Sequence, residues 1–203
     1  WRSLNDGAMK PYEINISLFD AMRGTLQNPE DGYQEQRFIC AHCIMLALEG
    51  VPAFYIHSLL ATENDYDKLA NTNNKRGINR HVWELDEIES LLQGDNHHAR
   101  ILNELKRLIA IRKKQPAFHP NAIMFTLHIG DEVCGFWRQS LRRDQSIFCL
   151  NNISDQNQQI SLSSINLIST DQWQDLISGS KLGENQAFIQ LKPYQSVWLS
   201  NRA

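Results

Sequence analysis

The chain has 203 residues, of which 42% are apolar and 21% charged, and its formal net charge is −3. These fractions are those of an ordinary globular protein, and the acidic balance argues against a general nucleic-acid binder, which would be basic. No apolar run approaches the roughly 18 residues of a membrane span, so no membrane partner is expected.

In chain order, the sequence opens on Trp1 with no initiator methionine and no signal-peptide pattern, which predicts a fragment or a processed chain. Residues 1–11 read as irregular, and "YEINIS" (12–17) as a short strand or an extended lead into "LFDAM". "NPEDG" (28–32) is dense in turn formers. Residues 33–48 form the first strong helix, with Phe38, Ile39, Met45, Leu46 and Leu48 giving it a broad apolar surface and Gly50 as its C-cap. "VPAFYI" (51–56) is apolar on both faces, the mark of a parallel strand buried between layers, with Pro52 near its start. A long loop, 57–81, leaves the carboxyl end of that strand. An acidic helix over 84–92 and an amphipathic one over 96–114 follow, the latter with Ile101, Leu105, Leu108 and Ile109 on one face and cations in its last turn.

At "QPAFHP" (115–120) the character changes. Two prolines stop the helix, and short alternating segments follow: "IMFTLHI", "VCGFWRQ", "SIFCLNNI", "QISL", "AFIQL" and "SVWLSN", separated by turn residues. The reading is α/β plus all-β, with an α/β part at 1–119 and an all-β meander or sandwich at 120–203.

Cys40, Cys43, Cys134 and Cys149 are too few for a disulfide framework in a chain of this length and read as reduced, which suggests the cytoplasm. "CAHC" (40–43) lies in mid-helix rather than at a helix start, so these thiols read as small hydrophobes instead of a redox pair. His97 and His98 are adjacent and should face different directions on a helix, which argues against zinc.

A helix, a buried strand, a long loop and a helix make one unit of a repeating α/β fold, in which loops after strand carboxyl ends carry the site. "NNKRGINRH" (73–81) then sits on the functional side. Arginine offers a planar fork of donors, and asparagine both gives and accepts, a mixture that suits a sugar or a phosphate. The alternative is a solvated turn in which Arg76 pairs with the loop acids Glu63, Asp65 and Asp67.

"PYEINISLFDAM" (11–22), "LEGVPAFYIHSLLATEND" (48–65) and "NNKRGINRH" together resemble the last part of the sucrose phosphorylase group of glycoside hydrolase family 13, in the α-amylase superfamily. "DQWQDLISG" (171–179) followed by "IQLKPYQSVWLSN" (189–201) resembles the hairpin and last strand of that superfamily's C-terminal β domain. The resemblance implies the last part of a TIM (β/α)8 barrel followed by a C-terminal antiparallel β domain, with "VPAFYI" as the eighth barrel strand. It implies retaining chemistry between two carboxylates, with inorganic phosphate taking the glucosyl group of an α-glucoside and no cofactor or metal. By the same resemblance Arg76 contacts glucose in the donor subsite, and Tyr12 and Glu13 lie on a mobile acceptor loop. Some sucrose phosphorylases carry glutamine at the position of Glu13, so sucrose, sucrose 6-phosphate, glucosylglycerate and glucosylglycerol all stand as candidates. His57 either lines the pocket or packs as a core histidine.

The family's nucleophile, acid/base glutamate and transition-state histidine–aspartate pair have no counterpart in these residues. Glu13 and Asp20 match no catalytic position. The chain is therefore expected to be the C-terminal portion of a phosphorylase, inactive alone, with helix 33–48 and strand 51–56 short of neighbours. The competing readings are a non-catalytic carbohydrate-binding or interaction module and part of a hydrolytic α-amylase-type enzyme.

Overall fold

A computed structural model describes residues 2–3, 5–167, 170 and 172–202. The first eleven residues hold a small hairpin, β1 (Arg2–Ser3) on β2 (Met9–Lys10), in a stretch whose sequence reads as irregular. Residues 12–17 are extended and unpaired in any ladder, and lead into one turn of helix, α1 (Leu18–Ala21). Ser17 caps it by accepting from the Asp20 amide.

The helix expected over 33–48 is α2 (Gln34–Ala47), with Phe38, Cys40, Cys43, Leu46 and Ala47 buried. Its last turn carries no cation of its own. Two arginines from elsewhere serve the free carbonyls: Arg112 Nε donates to Leu46 O (2.8 Å), and Arg138 Nη1 donates to Ala47 O (2.7 Å) and Leu48 O (2.6 Å). Charge of this sign belongs at a helix C-terminus, where carbonyls lack partners and the dipole is negative. The C-cap is Leu48, not Gly50; Gly50 lies two residues beyond, at φ +86°, and turns the chain so that its amide donates to Pro120 O (3.3 Å).

The strand expected at 51–56 does not form. Residues 51–55 are in no ladder, and Val51 (80% exposed) and Tyr55 (52%) face outward. A strand needs a hydrogen-bonded neighbour, and among the described residues none lies alongside. The apolar composition is that of a buried strand, but among the described residues no layers sandwich it. By contrast α2 has neighbours, packing against the later long helix and the β domain.

The loop expected over 57–81 is wound into α3 (Ile56–Leu59), α4 (Tyr66–Thr72) and a 3-10 turn at Lys75–Asn79. Asp65 caps α4, Asn73 ends it in the left-handed conformation (φ 51°), and Asn74 caps the 3-10 turn through the Arg76 amide. These are the positions that aspartate and asparagine favour because their side chains satisfy free backbone amides. Two further helices follow, α5 (Leu85–Gln93) and α6 (His97–Lys113), the latter capped by Asn96 and buried along Ile101, Leu105 and Leu108. His97 and His98 do not diverge as their adjacency suggests; their rings lie 3.9 Å apart.

From Ile123 the chain is antiparallel β. Its strands are β3 (Ile123–Leu127), β4 (Val133–Gln139), β5 (Ser146–Asn152), β6 (Gln158–Ser161), β7 (Gln174–Asp175), β8 (Phe188–Leu191) and β9 (Ser196–Ser200). A five-stranded sheet runs β3-β4-β5-β9-β7, and β6 pairs with β8 in a second sheet. Of the stretch 171–179, Asp171 lies outside the described residues; Gln174 and Asp175 pair with β9.

Side chains alternate across a strand, and both faces of the larger sheet are covered. Ile147, Cys149 and Trp198 meet Cys43, Leu46 and Leu108 of α2 and α6. Phe148, Leu150, Val197 and Leu199 meet Ile160 and Leu191 of the small sheet. Arg138 of β4 is fully buried between the helical part and the sheet, and its Nη2 also donates to His119 O (3.1 Å) and Ala122 O (3.3 Å).

No helix among the described residues is long and apolar enough to cross a membrane. The four cysteines are free, and three of them are buried. Burial pushes the Cys40 thiol up to about 11 and Cys43 up to about 12, and raises Cys149 and Cys134 as well. The thiolate is the nucleophile. Iodoacetamide at mild alkaline pH should therefore modify the half-buried Cys134 and spare the other three until the chain unfolds, as read by peptide mass spectrometry. Native-state labelling of Cys149 would contradict this packing.

Candidate functional site

The extended segment 12–17 and the 3-10 turn at 75–79 meet through their side chains. Arg76 grips Glu13 with two nitrogens: Nε lies 3.0 Å from Oε1 and 3.2 Å from Oε2, and Nη2 donates to Oε2 at 2.8 Å. This is the fork geometry that arginine makes with a carboxylate. Asn15 Nδ2 adds a bond to Glu13 Oε1 (3.1 Å), and Asn79 Nδ2 donates to Ile16 O (3.3 Å).

The hydrogen bond from Arg76, then that from Asn15, brings the Glu13 carboxyl down to about 2, with Arg80 contributing charge at longer range. A group depressed in this way keeps its charge above its ordinary range and loses it as pH falls through about 2. The pair therefore persists through the acidic range in which ordinary carboxylates titrate. It is exposed, with 55% of the Arg76 and 33% of the Glu13 side chain open to solvent, so neither group is sequestered from a ligand. Tyr12, next to Glu13 in the chain, is 58% exposed.

The structure thus joins two of the four residues singled out from sequence, Arg76 and Glu13, with Tyr12 adjacent to Glu13 along the chain. The partner of Arg76 is Glu13, sixty-three positions away, and not the loop acids Glu63, Asp65 or Asp67. His57 belongs to a neighbouring group. Its Nδ1 lies 3.2 Å from Thr62 Oγ1, which also accepts from Trp83 Nε1 (3.1 Å). Partial burial, then His81 and Lys68, lowers the His57 pKa, which favours the neutral ring. Thr62, Asp65, Tyr66, His81 and Trp83 are among the residues that line a cleft of about 400 Å³ here.

Two residues, Asp65 and Asn64, organise this region in roles the sequence did not reveal. Asp65 accepts from the Lys68 amide (2.7 Å) and pairs with His81 Nδ1 (2.7 Å), and its own amide donates to Ile78 O (2.7 Å). Its pKa is lowered chiefly by the Lys68 amide. Asn64 Oδ1 accepts from the Ser17 amide (2.7 Å), while its amide donates to Asp20 Oδ2 (2.5 Å). Asp20, buried and paired with Arg23 (2.6 Å), is a structural tie between distant segments. Among the described residues no group of three or more metal-ligating side chains occurs.

The fold defines the class first. The chain superposes on an α-amylase from Geobacillus thermoleovorans with a TM-score of 0.64 at 15% identity, over 86% of this chain and 34% of that one. AmyP in complex with maltose gives a TM-score of 0.63 at 14% identity, over 86% of this chain and 36% of that one. The fold, helices followed by an antiparallel β part, is one that these two structures share over about a third of their length.

No family model matches the sequence, but curated relatives narrow the class. The chain is 34% identical over 190 residues to the glucosylglycerate phosphorylase of Allomeiothermus silvanus, covering 93% of this chain and 31% of the relative. It is 32% identical over 204 residues to that of Escherichia coli, covering 98% and 34%. Against the sucrose phosphorylase of Bifidobacterium adolescentis it is 31% identical over 107 residues, covering 53% and 18%. The chain is thus homologous to glucosylglycerate phosphorylases over nearly its whole length, and to sucrose phosphorylase over about half of it. It spans about a third of the length of the glucosylglycerate phosphorylases it matches.

Proposed function

We propose that this chain is the C-terminal third of a retaining glucosyl phosphorylase, which transfers glucose from an α-glucoside to inorganic phosphate and releases glucose 1-phosphate, and that its α-glucoside is glucosylglycerate. The observation that carries the reading is the extent of the match: glucosylglycerate phosphorylases align over 93–98% of the chain, sucrose phosphorylases over 53%. In this reading residues 1–119 complete a (β/α)8 barrel and 120–203 form its β-sandwich domain. The two carboxylates that attack and protonate the glycosidic bond are supplied by other parts of the protein.

The residues of this chain hold the sugar and the acceptor. Arg76 donates to glucose hydroxyls in the donor subsite, with its planar fork suited to neighbouring oxygens. Tyr12 and Glu13 border the side where phosphate or glycerate enters, and His57 lines the adjoining wall in its neutral form. The enzyme works in carbohydrate metabolism in the cytoplasm, a location supported by four thiols that stay free.

The test is a panel assay on the intact protein that carries this chain, with glucosylglycerate, glucosylglycerol, sucrose and sucrose 6-phosphate as donors in the presence of phosphate. Glucosylglycerate should have the highest kcat/KM. Preference for sucrose would reassign the substrate while keeping the chemistry. In the same panel Glu13→Gln should change the ranking of the donors, since it replaces the carboxylate held by Arg76 with an amide; an unchanged ranking removes Glu13 from the acceptor side.

A further inference from the structure

We propose that the adjacent residues Asn64 and Asp65 form a hub that fixes the Glu13 segment and the Arg76 turn relative to each other, with Asn64 acting as a positioning residue for the acceptor side. The inference rests on the reading of Glu13 and Arg76 as ligand-binding groups.

The two binding segments are far apart in sequence and must be held at one geometry for a ligand to bridge them. The Arg76–Glu13 pair touches both but is too exposed to do this alone, because solvent-exposed ion pairs contribute little and give way to competing partners. The hub is better sheltered. Ser17 and Asp20 are buried, and the Asp65 side chain is only 13% exposed.

Asn64 serves one side. Its side chain accepts from the Ser17 amide, and its own amide donates to the buried carboxylate of Asp20, which in turn holds Arg23. Those bonds fix the base of the segment that carries Tyr12 and Glu13. Asp65 serves the other side. Its amide donates to Ile78 O inside the 3-10 turn of Arg76, and its carboxylate holds His81 just after that turn and caps the helix before it. One peptide unit therefore connects the two halves of the candidate site, through bonds that are expensive to leave unmade when buried.

The test is amide hydrogen exchange on the intact protein with Asn64→Ala, followed by kinetics. The variant should speed exchange about tenfold in peptides covering both 11–20 and 74–81, leaving β3 to β9 unchanged. In phosphorolysis it should raise KM for phosphate by about tenfold with kcat within about twofold of wild type, as loss of positioning in the bound state requires. Asn64→Asp, which keeps the acceptor for the Ser17 amide, should restore both readouts. Loosening of 11–20 alone, or of neither peptide, overturns the hub, as does a fall in kcat with KM unchanged. If Asn64→Ala does not fold, Asn64→Asp decides: wild-type exchange supports the hub, and failure to fold refutes it. A wild-type protein that forms no sugar phosphate refutes the phosphorylase reading separately, because the exchange data still judge the hub.

Discussion

Replacing Arg138 with methionine should destabilise the protein by about 3–5 kcal/mol, since several buried carbonyls lose their donor at a cost of about 1–3 kcal/mol each. Arg138 is 0% exposed and makes four hydrogen bonds, all to main-chain carbonyls: Ala47 and Leu48 at the end of α2, and His119 and Ala122 at the junction before β3. Among the described residues no carboxylate pairs with it. Its charge is offset instead by the negative end of a helix. Methionine fills a similar volume and offers no donor, so the carbonyls are left without partners in a site closed to water. For a protein of this size the melting temperature should drop by roughly 10 °C. Arg202→Met, which removes an exposed pair with Asp144 (55% and 44% open), is the control and should change stability by less than about 1 kcal/mol. Similar melts for the two variants would show that Arg138 does not join the helical part to the sheet.

If Arg76 holds glucose as proposed, Arg76→Ala should lower kcat/KM for glucosyl transfer by roughly 10- to 100-fold in the intact protein, the loss of one charge-assisted bond, while leaving the melting temperature unchanged. The fold is spared because the guanidinium lies at the surface and its protein partner, Glu13, is also exposed. Arg76→Lys should recover only part of the loss, because an ammonium cannot reproduce the two-pronged geometry. A large fall in melting temperature would make Arg76 a structural residue and return the loop to an ordinary surface turn.

Helices and β strands were legible because their signals are local. Residues 33–48, 84–92 and 96–114 show apolar spacing with capping residues, and the folded helices begin and end within one or two residues of them. The segments after residue 119 alternate with period two and are separated by turn formers, and all six became strands. The strand at 51–56 failed for a physical reason. Its composition reports burial between layers, whereas its conformation depends on a hydrogen-bonded neighbour that no described residue provides. Long-range side-chain ties were also hidden. Nothing local in "ATENDYDKLA" says that Asn64 reaches Ser17, or that Arg76 selects Glu13 over three nearer acids. Such choices are made by tertiary geometry, after the local elements have formed. The winding of 57–81 into short helical elements was discoverable in part, from Asp65 and Asn74 at capping positions.

The most direct measurement is phosphorus NMR of the intact protein incubated with glucosylglycerate and inorganic phosphate. Conversion of the phosphate signal into α-glucose 1-phosphate, with glycerate released in equal amount, is the predicted result. Accumulation of free glucose with the phosphate signal unchanged would identify a hydrolase and contradict the assignment.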